Sequence, residues 1–415
     1  MATIRSAARS AARSAARSAA LWLVGVTTWV GCADPTGSVG PTGSATAPSP
    51  SVSTSAPAPA SSIPAGDKAT KNQAGRTSVT LIAGGDVSYG RLRGQRLLRE
   101  PQRNDLSSLG SLLGSAALRF VNLESTISDQ QGQTQAPNNK LVFTAPPIAA
   151  AALKRAQIDI VALANNHAWD YGKDALFETF AHLEGVQVPY VGAGRTRAEA
   201  YAPRLIRRDG ITLAFLAVTA SWNQELDPHP GREHIADAQL DTLVDSVQQA
   251  KAMAGVDKVI VSYHGGYEYV DRPHPGTREL LGAAMAAGAD VVIGHHPHVI
   301  QRIGFVEGRP ILYSLGNLLM RMVTGRPWTE IGLLARLTFH RDAATSVEIC
   351  PFRISGFDQI PLADDPNRSA QEAHFRVKLE RLLRIGALVD PDQAASLGAF
   401  GADGCAPVTP AAPRP

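Results

Sequence analysis

Only three cysteines occur among 415 residues: Cys32, Cys350 and Cys405. No two lie within a few residues of each other, which excludes the cysteine-paired zinc motifs. Basic excess is scarce as well. The formal charge is +3, and setting aside Arg5, Arg9, Arg13 and Arg17 turns the balance slightly negative. Nucleic-acid binding needs Lys and Arg clustered against phosphates, so no nucleic-acid partner is expected. A long apolar run is also missing. The stretch LWLVGVTTWVG (21–31) is short and broken by Gly25 and two threonines, a poor fit to a bilayer span. The hydrophobic fraction of 44% is ordinary, so a sizeable core can still be buried.

What is present begins with a targeting signal. RSAA is repeated four times before the short apolar stretch, and a positive start followed by an apolar segment reads residues 1–31 as a signal peptide. The bland alternative is an amphipathic transit-like segment. Gly31 directly before Cys32 resembles the lipobox of bacterial lipoproteins, although Trp29 stands where that motif prefers Leu. The resemblance implies lipidation of Cys32 and a membrane-anchored lipoprotein, exported to the cell envelope. Residues 32–77 are Pro, Ser, Thr, Ala and Gly with few large apolar side chains, a composition that cannot offset its ordering entropy and serves as a disordered tether. Cys350 and Cys405 remain as a candidate disulfide in an oxidising compartment, although spacing alone does not reveal whether they meet.

From Ser78 the pattern changes. SVTLIAGGD (78–86), LRFVNLE (118–124), IDIVALANN (158–166), VDKVIVSYH (256–264) and ADVVIGHH (289–296) are short apolar runs that each end in polar or metal-binding residues. Helical patterns at 146–157, 173–184, 236–254 and 276–287 lie between them, and the alternation predicts α/β units. Segments 203–208 and 211–219 read as a hairpin turned at Asp209-Gly210, and a second hairpin is expected within 331–355. The folded domain is placed at 78–357. Beyond it, 358–415 reads as a small helical C-terminal appendage and tail, with a helix at 369–386 and a smaller one after it.

Open α/β sheets place their sites at the C-terminal ends of strands, where loops converge in a crevice. Five such ends carry Asp86, Glu124, Asn166 with His167 and Asp170, His264, and the run His295-His296-Pro297-His298. Each has an ordinary reading on its own: Asp86 as a turn cap, Glu124 as a lone charge, His264 as a core-edge histidine. Three histidines in four residues at a buried strand end are costly without a partner. Taken together, these oxygen and nitrogen donors are those that borderline divalent metals prefer. An extended His-x-His end would send His296 and His298 to one side. Glu268 and Tyr269 read as substrate contacts, or as a strand cap. Tyr313, Ser314 and Asn317 read as a hydrogen-bonded frame of the site or, in preference, as purely structural residues, and His229, His234 and His274 as solvated loop residues.

The motifs GGDVSYG (84–90), VNLES (121–125), FTAPP (143–147), ALANNHAWDYG (162–172), HGGYEY (264–269), GADVVIGHHPHV (288–299) and YSLGN (313–317) resemble the CapA family of capsule and poly-gamma-glutamate synthesis. That family's domain is similar to the calcineurin-like metallophosphoesterases. The resemblance covers about 78–320 and implies a four-layer α/β/β/α sandwich holding one or two divalent metal ions. Asp86 and His298 would hold one ion, and Asn166, His264 and His296 the other, with Glu124 bridging. His167 would be the general acid, oriented by Asp170, and His295 would contact substrate. Ser88 stands where the phosphoesterases have a second ligand, a histidine, and Glu124 where they have aspartate. Gly265 replaces the family's usual Trp, and Leu318 its usual Phe.

Two functions are expected from this. One is a cell-envelope, metal-dependent hydrolase whose partner is an acidic polymer or phosphoester substrate, working beside other envelope polymer-synthesis proteins. The other is a non-catalytic surface component that binds or guides an acidic polymer. An acid dyad is superfluous in a pure binder, so His167 with Asp170 favours the enzyme.

Overall fold

The computed structural model describes residues 78–223, 229–322 and 325–411. The signal peptide, the tether and Cys32 lie outside the described residues.

Six strands carry the site: β1 (Ser78–Val87), β2 (Leu118–Leu123), β3 (Ile160–Ala162), β4 (Ile211–Thr219), β5 (Lys258–His264) and β6 (Val291–His295). Two more, β7 (Ile331–His340) and β8 (Ser346–Ser355), form the second expected hairpin. All are rich in Val, Ile and Leu, which suit a pleated surface covered on both sides. β1 lies inside the first sheet, parallel to β2 and antiparallel to β7, while β3 runs parallel to β2. The second sheet is built on β4, β5 and β6, all parallel, with the strand Arg204–Arg208 antiparallel to β4 as the first hairpin.

Alternation along β4 divides its side chains between two cores. Leu213, Phe215 and Ala217 face the larger cluster, which also takes Phe120 of β2. The Phe120 and Phe215 rings stack at 5.7 Å, so the two sheets pack face to face there. Ala214, Leu216 and Val218 face the other way, against helices α3 (Leu240–Ala252) and α4 (Pro275–Ala286) through Leu243, Val247, Leu281 and Met285. On the far side of the first sheet, α1 (Ile148–Arg155) and α2 (Gly172–Gly185) supply Leu153, Leu176, Phe180 and Leu183. Helices, sheet, sheet, helices: the layers are those of an α/β/β/α sandwich. Fully burying each such aromatic or aliphatic side chain is worth about 1.5–3 kcal/mol.

The region after Phe357 differs from the expectation. It does carry a helix, α5 (Arg368–Val389), but a short 3-10 turn and strands come after it instead of a second helix. Asp358–Pro361 and Ala406–Pro410 both pair with β8, and Ala395–Leu397 pairs with the latter. A boundary at 357 therefore cuts through the first sheet. Cys350 of β8 and Cys405, just before the last strand, are joined as a disulfide. Among the described residues, no helix is long and apolar enough to cross a membrane.

Candidate metal centre

Register assembles the site. In the first sheet Asp86 stands opposite Asn122 on one side and Asn317 on the other. In the second, His264 stands opposite His295 and Thr219. The first sheet thus offers a carboxylate between two amides, and the second offers imidazoles. Close backbone approach makes this possible. A Cβ on Gly85 would meet the Gly316 carbonyl oxygen at 1.9 Å, and one on Gly294 would meet that of Tyr313 at 2.1 Å. No side chain fits at either place.

The expected ligands meet. One group is Asp86, Glu124 and His298, and another is Glu124, His264 and His296; within each, the donor atoms lie within 4.8 Å of one another. Glu124 belongs to both. Its Oε1 is 3.7 Å from His298 Nε2, 3.8 Å from His264 Nε2 and 3.9 Å from His167 Nε2. His264 Nε2 is in turn 2.7 Å from Asn166 Oδ1 and 3.1 Å from His296 Nδ1. Two buried ring nitrogens at that separation repel unless a proton or a cation lies between them.

Amides orient these groups. Asn122 Nδ2 donates to Asp86 Oδ1 at 2.8 Å, and His298 Nδ1 lies 2.9 Å from Asn317 Oδ1, which places the Nδ1 proton there and leaves Nε2 for Glu124 and a cation. Asn165 donates to the Leu123 carbonyl at 2.8 Å and accepts from the His167 amide, holding the turn that presents Asn166.

The route by which His296 and His298 reach the site is not the extended one expected. β6 ends at His295, and the two later histidines have φ of 97° and 55°. These are left-handed conformations that non-glycine residues adopt at a cost of about 1–3 kcal/mol. Side-chain alternation fails there, and the tight turn through Pro297 brings the two rings to 6.1 Å instead. His295 also differs from expectation. It is buried beside Phe120, and its Nδ1 lies 3.5 Å from Asp86 Oδ1, so it backs the carboxylate and does not face substrate. Tyr313 does not frame the cluster, because its hydroxyl bonds Gln393. Ser88 Oγ accepts from the Gly90 amide, so the Asp86 group has one imidazole, from His298.

His167 forms the third part. Its Nδ1 is 2.8 Å from Asp170 Oδ2, and the Phe143 amide donates to the same oxygen at 2.9 Å. Asn223 is a residue the sequence does not single out. It donates to Asp170 Oδ1 at 3.3 Å, and its own Oδ1 accepts from Asn166 Nδ2 at 3.0 Å, so one amide links the proton-handling pair to a ligand. His229 and His234 are buried among Trp169, Trp222 and Phe177 and are not solvated; of these three histidines His274 alone is exposed, capping α4.

Electrostatics show what the donor set requires. Burial opposes charge on Asp86, yet hydrogen bonds and charge from His295 and His298 hold its carboxyl well below the usual range. Burial, and then repulsion from Asp86, push Glu124 well above it. Burial disfavours the His298 imidazolium, but Glu124 and Asp86 outweigh it and raise His298 to about 9. Burial and the nearby His298 charge lower His296 to about 4. Burial, then the His296 charge, also lowers His264. Neither Glu124 oxygen has a hydrogen-bond partner among the described residues, at zero exposure. An orphaned buried carboxylate facing three imidazoles is the chemistry a divalent cation satisfies, so the residues fit the metal that the sequence implies.

A layered α/β domain whose strand ends converge on two adjoining groups of potential metal ligands sharing one carboxylate defines a candidate metal-centre protein. Residues 80–322, more than half of the chain, match the family described as "Bacterial capsule synthesis protein PGA_cap", and the chain belongs to that family. It is similar to the PGA biosynthesis protein CapA of Bacillus subtilis, at 28% identity over 247 residues, covering 59% of this chain and 63% of that protein. It is also similar to the capsule biosynthesis protein CapA of Bacillus anthracis, at 29% over 248 residues, 58% of this chain and 59% of that one. A probable polyglutamine synthesis accessory protein of Mycobacterium tuberculosis is 32% identical over 209 residues, 48% of this chain and 54% of that one. The chain thus spans less than two thirds of the length of these relatives. Among solved structures, the calcineurin-like phosphoesterase YfkN from Bacillus subtilis is 14% identical, covering 68% of this chain and 87% of that one, with a TM-score of 0.38.

Proposed function

We propose that the protein is a metal-dependent, hydrolase-like component of envelope polymer synthesis, acting on an acidic polymer such as poly-gamma-glutamate or on a phosphoester. The observation that carries this reading is Glu124, a fully buried carboxylate with no hydrogen-bond partner among the described residues, shared by two groups of metal-binding side chains. Asp86, Glu124 and His298 would hold one cation, and Glu124, His264, His296 and Asn166 the other. A divalent cation bound there would polarise a substrate oxygen and lower the pKa of a nearby water. Asp170 fixes the proton on His167 Nδ1 and orients the ring, which leaves Nε2 as the atom that exchanges a proton with a leaving oxygen. Tyr269 stands at the solvent side as a substrate contact, with the exposed Glu268 beside it.

Lipidation of Cys32 and residence at the membrane surface belong to the same proposal. They rest on the sequence of residues 1–32 and on the acidic envelope polymer named for the family's relatives.

Metal analysis of the purified protein, with hydrolysis assays on a generic phosphodiester and on poly-gamma-glutamate, tests the reading. Bound metal with turnover that His167→Ala abolishes supports it. Bound metal without turnover of either substrate overturns it in favour of a polymer-binding component. One observation favours that second reading: Ser88 supplies no imidazole to the Asp86 side. A weak cation site there would suit binding better than catalysis.

A further inference from the structure

Two arginines outside the cluster hold matching positions. The Arg91 guanidinium carbon lies 4.1 Å from the centre of the Phe143 ring, and that ring lies 4.1 Å from His167. The Arg326 guanidinium carbon lies 4.4 Å from the centre of the Tyr269 ring, and that ring lies 6.2 Å from His298. Each of these imidazoles thus has an aromatic neighbour that carries a guanidinium.

Both stacks belong to the site. The charges acting on Arg91 are Glu124, Asp170, Tyr269 and Glu268, and both arginines act on the Tyr269 phenol. The cluster beneath is almost fully buried, whereas Arg91 and Tyr269 are half-buried and Arg326 and Glu268 are exposed. These four residues therefore lie on the side from which a ligand arrives.

Arg91 and Tyr269 are also held in conformations that ordinary surface residues avoid, with φ of 56° and 63°. Such geometry persists only where the surroundings fix it. The Arg91 amide donates to the Thr134 carbonyl at 2.8 Å, and the Tyr269 amide donates to the Pro297 carbonyl at 2.8 Å, inside the histidine turn. One Arg91 NH2 group donates to the Lys140 carbonyl at 3.1 Å. A guanidinium has five N–H donors, so most of the Arg91 fork remains available to a ligand.

We propose that Arg91 and Arg326 form the seat for an anionic oxygen group of the substrate, a carboxylate or a phosphate, beside the bond presented to His167. The proposal rests on the hydrolase-like reading for the chemistry after binding, but the seat consists of the chain's own side chains and needs no cation. Planar guanidinium groups stacked on aromatic rings are pre-organised for bidentate contact with such oxygens. Glu268 is the opposing charge at the same opening, and it weakens the seat for an anion.

The test is calorimetric titration of the chelator-treated full chain with two probes, inorganic phosphate and a gamma-linked glutamate trimer. The proposal expects one of them to bind, and the tighter probe identifies the group. Arg91→Ala and Arg326→Ala each weaken it roughly tenfold or more. Arg91→Lys keeps part of the affinity, since it retains charge without the fork, and Glu268→Gln tightens binding. Melting temperatures show that the variants are folded, and Arg91→Lys serves as the readout if Arg91→Ala is not. No binding of either probe, unchanged affinity in the protein carrying both Arg91→Ala and Arg326→Ala, or weaker binding in Glu268→Gln overturns the seat. Failure of the hydrolase-like reading registers elsewhere, as absence of metal uptake or turnover in the untreated protein.

Discussion

The backbone N–H of His296 donates to Asp86 Oδ2 across 3.2 Å, linking the histidine turn of the second sheet to the carboxylate of the first. The cluster is therefore built across the junction of two sheets, and its parts depend on one another.

Glu124 tests that dependence. In Glu124→Gln the metal-free protein becomes more stable by on the order of 1–3 kcal/mol, because a buried carboxylate beside Asp86 is removed. The same variant loses the stabilisation by bound cation, about 2.7 kcal/mol at a hundredfold excess over Kd. Thermal unfolding with and without chelator checks both halves, and a variant that keeps the cation-induced rise contradicts the bridging role.

The pH dependence has a definite sign. Glu124 lies above the usual carboxylate range when folded, so its carboxyl costs stability as pH rises past that range. His298, at about 9, contributes stability that is present at neutral pH and lost as pH rises through about 9. Below about pH 6.5 the lowered Asp86, His264 and His296 act in the opposite sense, so the metal-free protein should weaken on their account as pH falls and on account of His298 as pH rises from about 7 to 9. Cation binding displaces the Glu124 and His298 protons and strengthens as pH rises. The gap in Tm between loaded and chelated protein should widen between about pH 5 and 9; a constant gap contradicts the proton displacement.

His167→Ala should lower turnover by about 10²–10⁴-fold with metal content unchanged. Asp170→Asn should give a smaller loss, because its single carbonyl oxygen can still accept from the Phe143 amide, although Asn223 then loses its acceptor. Loss of metal in His167→Ala would place that ring among the ligands instead.

Cys405→Ser should cost about 2–4 kcal/mol, since the bond closes a loop of 55 residues between β8 and the final strand. A reductant should lower the Tm of the unaltered protein and leave the variant unchanged.

Cys32→Ala should release the protein from the membrane fraction. Continued membrane association would end the lipidation proposal.

The strands and the cluster are legible in the sequence because both obey local rules. Val/Ile-rich runs such as VDKVIVSYH (256–264) state their burial directly, and the run His295–His298 has no inexpensive structural use. Other features are not. The left-handed turn at His296 and His298 does not follow from side-chain alternation, which holds only while a strand continues. Asn223 lies in a loop with no periodicity, and its role appears only when Asn166 and Asp170 are brought to it. The strands Ala395–Leu397 and Ala406–Pro410 are too short to declare themselves, and the second carries Pro407 and Pro410; pairing of the second with β8, and of the first with the second, makes them strands. Arg91 is silent for a similar reason, since an arginine after a glycine-bounded turn has no signature until Phe143 lies beneath it.

The pairing of β8 with the last strand also bears on handling the molecule. A protein stopped at Phe357 would bare the hydrogen-bonding margin along Val347–Ile349 and leave Cys350 as a free thiol. Naked margins of that kind recruit other chains, so shortened versions should clump unless they run through Pro410.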